Sequence, residues 1–141
     1  MSGRTLVDPR GRAKAYRPLG PAARAAALAE FVAAYGRSEY FEAHEILEPA
    51  WMGASDPLER ELYSGLIKLA AAFVHADRAN PGGVAKNLRG ARERLAGVAD
   101  AGRPPGGLDL PALVAAIEGA IAAMDGGALA VDPIPLPRAA R

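Results

Sequence analysis

Between Asp56 and Asn80 the chain reads PLERELYSGLIKLAAAFVHADRA, and this stretch constrains the fold more than any other. At about 100° per residue, Leu62, Tyr63, Leu66, Leu69, Ala70 and Phe73 fall on one broad face, which is the pattern of a long amphipathic helix. Its start is written locally: Asp56 stands at the N-cap, Pro57 at the first helical position and Glu59 where a capping box places its acid. Its end is expected near Ala79, where Asn80-Pro81-Gly82-Gly83 breaks the pattern.

Four further helices can be read around it, and no stretch makes a convincing strand. The first spans about Pro21 to Tyr35, with Leu28, Phe31, Val32 and Tyr35 inward and Gly36 closing the end. Ser38 is expected to cap the second, which holds YFEAHEILEPAW (residues 40–51). The fourth buries Val84, Leu88, Ala91, Leu95 and Val98 and turns Lys86, Arg89, Arg92, Glu93 and Arg94 outward. The fifth runs from about Leu110 to Met124, with Leu110, Leu113, Val114, Ile117, Ile121 and Met124 inward. The expected fold class is all-α, a compact bundle of about five helices. Residues 125–141 add a Pro-rich C-terminal strap in which Ile134 and Leu136 alternate with prolines and lie over the bundle.

Half of the residues are hydrophobic but only 6% are aromatic, so Ala and Leu must do most of the packing. With 141 residues the chain is sized for one helical domain, over 21–124, preceded by a basic, partly mobile arm over 1–20. The absence of cysteine excludes disulfides, thiolate chemistry and Cys-ligated zinc. It fits a reducing compartment, and cytoplasmic localisation is the expectation. No run approaches the apolar length of a membrane span. A net charge of +1 argues against nucleic acid as the partner of the whole chain. The exception is the arm, where Arg4, Arg10, Arg12, Lys14 and Arg17 face Asp8 alone. A homo-oligomer is compatible with all of this.

The candidate chemistry centres on YFEAHEILEPAW. On a helical wheel Tyr40, Phe41, Leu47, Glu48 and Trp51 fall within about 60° of His44, whereas Glu39, Glu42 and Ile46 point away and Glu45 sits at the edge. His44 and Glu48 therefore interrupt a stripe expected to face the interior, where unpaired charge is costly. Their i,i+4 spacing lets them partner each other. Pro49 should kink or end the helix near Glu48. In the third helix, Ser64, Lys68, Ala71, Ala72, His75 and Arg78 lie opposite the apolar face. If that helix pairs with the second, Lys68 and His75 line a cleft shared with His44 and Glu48. Two histidines and a carboxylate are ligand types for zinc, iron or manganese. The spacing nevertheless matches neither H-E-x-x-H nor a di-iron E-x-x-H pair. No P-loop, dinucleotide glycine fingerprint or G-x-S-x-G elbow is present.

The run from Tyr40 to about Leu95 resembles the helical family catalogued as domain of unknown function 309. The resemblance rests on YFEAHEILEPAW, ELYSGLIKLAAAFVH and the RANPGG turn with the Leu88 and Leu95 helix behind it. It implies an all-α fold in one compact domain and places His44, Glu45, Glu48, Trp51, His75 and Asn80 on the family's motif positions. The chain departs from the family pattern at Pro49 and at Lys68, where a Gln is expected. No reaction follows from the resemblance. Three functional expectations result. The leading one is a soluble helical protein whose His44–Glu48–His75 polar cluster beside Trp51 is structural or ligand-binding, with Glu45, Lys68 and Asn80 in support. The alternative is a metal-dependent hydrolase-like enzyme, with a divalent metal held by His44, Glu48 and His75. The third is an interaction module working through the basic fourth helix or the arm.

Overall fold

The computed structural model describes the backbone of residues 4–7, 13–102 and 107–139, with side chains from residue 17 onward. Five helices follow one another: α1 (Pro21–Gly36), α2 (Tyr40–Gly53), α3 (Pro57–Asp77), α4 (Pro81–Asp100) and α5 (Leu110–Asp125). Each packs on the next in sequence, most extensively α3 on α4, as short connections dictate. The chain is an all-α bundle.

The arm differs from its expectation. Arg4–Val7 (β1) and Ala13–Tyr16 (β2) pair antiparallel, with Arg4 opposite Tyr16 and Val7 opposite Ala13. Segments of four residues are too short for alternation to reveal a strand in the sequence. Residues 1–3 and 8–12 of the arm, and the side chains through residue 16, lie outside the described residues.

The core follows the helical period. In α4 the buried residues are Val84, Leu88, Ala91, Leu95 and Val98, the expected stripe. In α5 Leu110, Leu113, Ile117 and Ile121 are buried, while Val114 and Met124 pack at the edge. In α3 the polar side of the wheel is narrower than expected, because Gly65 and Ala72 are buried. At Gly65 a Cβ would lie 2.6 Å from Leu95 Cγ, so this glycine admits α4 to the backbone of α3. One helix thus buries two faces, against different neighbours.

The helix ends show where local and tertiary signals part. Asp56 caps α3 as expected, its carboxylate accepting from Glu59 N–H at 2.9 Å. The α3 helix ends at Asp77, before Ala79, which takes a left-handed φ of 53°. Asn80 then caps α4 by accepting from Gly83 N–H at 3.2 Å. Ser38 does not cap α2: it adopts φ 62°, and Glu39 occupies the N-cap without a side-chain cap bond. Pro49 does not end α2, which continues to Gly53. Proline forfeits one N–H, and the fully buried Leu47 and Ala50 hold the helix in place on either side. The Pro49 carbonyl also accepts from Leu19 N–H at 3.2 Å, docking the segment before α1.

The strap is laid over the bundle. Ile134 is buried and Leu136 packs against the core. The Tyr35 hydroxyl donates to the Ile134 carbonyl at 2.5 Å. Burial pushes the Tyr35 phenol well above its ordinary pKa, so it remains a donor. Near the strap's end, Asp109 N–H donates to the Pro137 carbonyl at 2.9 Å and Ala139 N–H to that of Gly107 at 2.7 Å.

Candidate functional site

The buried stripe of α2 is Tyr40, Ala43, Leu47 and Ala50. His44 and Glu48 each lie one residue beyond a member of this stripe, about 100° round the helix. They therefore stand at the boundary of core and solvent, their side chains 27% and 24% exposed. Phe41, expected inside, is 52% exposed and stacks on the His44 ring at 6.1 Å between centroids. The interior positions go instead to Tyr40, Ala43, Leu47 and Ala50, with the Tyr40 ring packed on Tyr35 of α1 and Phe73 of α3.

His44 Nε2 is 2.9 Å from Glu48 Oε1. An ionised carboxylate only accepts, so Nε2–H is the donor to Glu48. Nδ1 is buried and has no hydrogen-bond partner among the described residues. One nitrogen is engaged and the other enclosed, so the ring as placed offers no lone pair to a substrate. Its geometry is that of a group orienting Glu48.

Glu48 in turn reaches a pocket of about 300 Å³ between α2 and α3, lined by Glu48, Trp51, Met52, Ser64, Ile67 and Lys68. Trp51 is clamped from one side by Arg60, whose guanidinium carbon lies 4.6 Å from the ring centroid. Arg60 Nη1 also donates to the carbonyls of Trp51 at 3.1 Å and Ala54 at 3.0 Å, satisfying the C-terminus of α2. The Lys68 stem crosses Gly90 of α4, where a Cβ would lie 2.8 Å from Lys68 Cδ. Gly90 thereby decides where the lysine runs.

His75 belongs to a different neighbourhood. The Gly83 N–H can only donate, so the Asn80 atom facing it is Oδ1, and Nδ2 faces His75 Nδ1 at 3.1 Å. Asn80 therefore donates to His75 while capping α4. The site residues read from the sequence thus separate: His44, Glu48, Trp51 and Lys68 gather between α2 and α3, and His75 with Asn80 fastens the α3–α4 turn. Glu45 is half-buried on α2. Among the described residues no three His, Asp or Glu side chains are grouped so that they could hold a metal ion.

One polar network carries no signature in the sequence. Arg24 of α1 donates to both carboxylate oxygens of Glu59, at 2.7 and 3.2 Å, and to the carbonyls of Leu19 at 3.0 Å and Gly53 at 3.2 Å. The Tyr63 hydroxyl donates to Glu59 at 2.6 Å. The guanidinium holds the Glu59 carboxyl below its usual pKa, against the opposing effect of burial. Burial and the bond to Glu59 push the Tyr63 phenol up. Glu59 stands at a capping-box position, yet its carboxylate is committed to Arg24 and Tyr63.

Residues 28–87 match the family model described as domain of unknown function (DUF309). This segment is similar to that family. It contains α2 and α3 whole, most of α1 and the start of α4, and so both histidine neighbourhoods. No curated protein matches the chain. Among the described residues no helix is long and apolar enough to cross a membrane.

Proposed function

We propose that the DUF309 segment is a small-molecule-binding unit whose site is the pocket between α2 and α3. The observation that carries this reading is the placement of Glu48 and Lys68, opposite charges, on one pocket beside Trp51. A pocket of about 300 Å³ lies at the lower end of the range that small ligands occupy. The ligand that fits has a flat apolar body against Trp51 and Ile67, an anionic group toward Lys68 and a donor toward Glu48. His44 acts as a positioning residue, because its Nε2–H fixes one oxygen of Glu48. This favours binding over catalysis, since the imidazole presents no free nitrogen. A metal-dependent hydrolase has less support, as His75 is occupied at the α3–α4 turn.

Trp51 is the single tryptophan, so its fluorescence reports the pocket directly. Titration with phenylalanine, benzoate and benzamidine tests a zwitterion, an anion and a cation of similar size. The expected result is a saturable change with phenylalanine, weakened by Glu48→Gln and by Lys68→Met, with no response to benzamidine. If none of the three alters Trp51 emission or the melting temperature, the reading fails.

A further inference from the structure

A second and larger cavity shares no lining residue with the pocket at Trp51. Its volume is about 710 Å³, and it opens between α1, the first turns of α3, the end of α4 and the end of the strap. The α1 wall is Ala25, Leu28, Ala29 and Val32, and Leu62 and Val98 continue it on α3 and α4. An apolar cleft of this size with few polar groups is the usual form of a small-ligand site.

The polar groups on it are Asp56, Glu59, Tyr63 and Arg138, and their charges are not equivalent. Glu59 is neutralised by the two-pronged contact from Arg24 and by Tyr63. Asp56 is spent on the N-terminus of α3, accepting from Glu59 N–H where the helix dipole is positive. Arg138 alone has no hydrogen bond or ion pair from its side chain among the described residues. Its backbone is held all the same: residue 138 bridges to Leu108, and the residues on either side bond to Asp109 and Gly107. Gly107, at φ 72°, leaves room for the guanidinium, since a Cβ there would lie 3.3 Å from Nη2. The fold thus fixes on an apolar cleft one cation that is uncompensated among the described residues.

We infer that this cleft binds a carboxylate-headed amphiphile, with its hydrocarbon chain along α1 and its head group on Arg138. An alcohol of equal chain length shares the apolar contacts and lacks the ion pair. A quaternary ammonium places like charge against Arg138.

The test is calorimetric titration of the full chain with octanoate, octanol and octyltrimethylammonium, all below their micellar concentrations. Octanoate is expected to bind at one site, at least about tenfold more tightly than octanol, with no binding of the ammonium. Arg138→Gln should bring octanoate down to the affinity of octanol and leave octanol unchanged. Ala25 and Ala29 are exposed on the cleft wall, so Ala25→Phe and Ala29→Phe fill it without entering the core. Each should abolish binding of both ligands while the melting temperature is kept, and two such variants guard against one misfolding. The inference is overturned if octanoate does not bind, if Arg138→Gln leaves its affinity intact, or if filling the cleft leaves binding intact. Trp51 fluorescence does not enter these readouts, so failure here is separate from failure of the α2–α3 pocket.

Discussion

Arg24 on α1 and Glu59 on α3 are 35 residues apart in sequence and joined by two hydrogen bonds. The same guanidinium holds the Leu19 and Gly53 carbonyls, so one side chain ties α1, the end of α2 and the start of α3. Glu59→Gln keeps the shape and loses the charge. It should lower stability by about 1–3 kcal/mol at neutral pH, as measured by urea denaturation. The sign with pH follows from the direction of the shift. The folded-state pKa of Glu59 lies below the unfolded value, so its contribution is complete above the unfolded value of about 4.3. It is lost as pH falls through the folded value. The stability gap between wild type and Glu59→Gln should therefore be full near pH 6 and close only as pH falls through the lowered folded-state value. A gap that persists in acid would show that the charge is not the cause.

Gly83 faces the His75 ring so closely that a Cβ would lie 2.5 Å from Cγ and Nδ1. In an unencumbered helix Gly→Ala gains up to about 1 kcal/mol. Here Gly83→Ala should instead cost about 1–3 kcal/mol through overpacking. The double variant Gly83→Ala, His75→Ala should recover part of that loss, a coupling that a double-mutant cycle reads directly.

Ala79 holds a left-handed φ of 53° between α3 and α4. A side chain there costs about 1–2 kcal/mol. Ala79→Gly should raise the midpoint of denaturation, with a gain of up to about 1 kcal/mol after the added entropy of the unfolded chain. An unchanged or lower midpoint would count against strain at this turn.

Tyr35→Phe removes the donor to the Ile134 carbonyl and preserves the ring packing. The expected cost is about 1 kcal/mol, with faster proteolysis confined to the strap beyond Asp125. Cleavage within the bundle instead would place the effect elsewhere.

His44→Ala frees Glu48 from the Nε2–H bond and empties a half-buried position. The structural part of its role predicts a loss of about 0.5–1.5 kcal/mol. The positioning part predicts weaker phenylalanine binding at Trp51, which His44→Gln should restore in part by donating again to Glu48. A fall in stability with ligand response unaltered would leave His44 a packing residue only.

Much of the fold was legible because it rests on local physics. The apolar period, Asp56 before Pro57, and Asn80 before Pro81-Gly82-Gly83 each act within one or two helical turns. They determined five helices, nearly their bounds, and the buried faces of α4 and α5. The motif around His44 and Glu48 was legible for the same reason, since an i,i+4 pair meets on its own helix. What only the tertiary structure decided involves a neighbour that no local pattern encodes. Phe41 fell on the exposed side of α2 while its neighbour Tyr40 entered the aromatic cluster with Tyr35 and Phe73, and Gly65 let Leu95 of α4 close on α3. Pro49 was carried inside α2 by flanking residues fixed in the core. His75 went to Asn80 and Gly83, because the turn holding it closes before α2 is reached. The Arg24–Glu59 pair and the cation at Arg138 lie furthest from sequence reading, for they exist only where distant segments of backbone have already met.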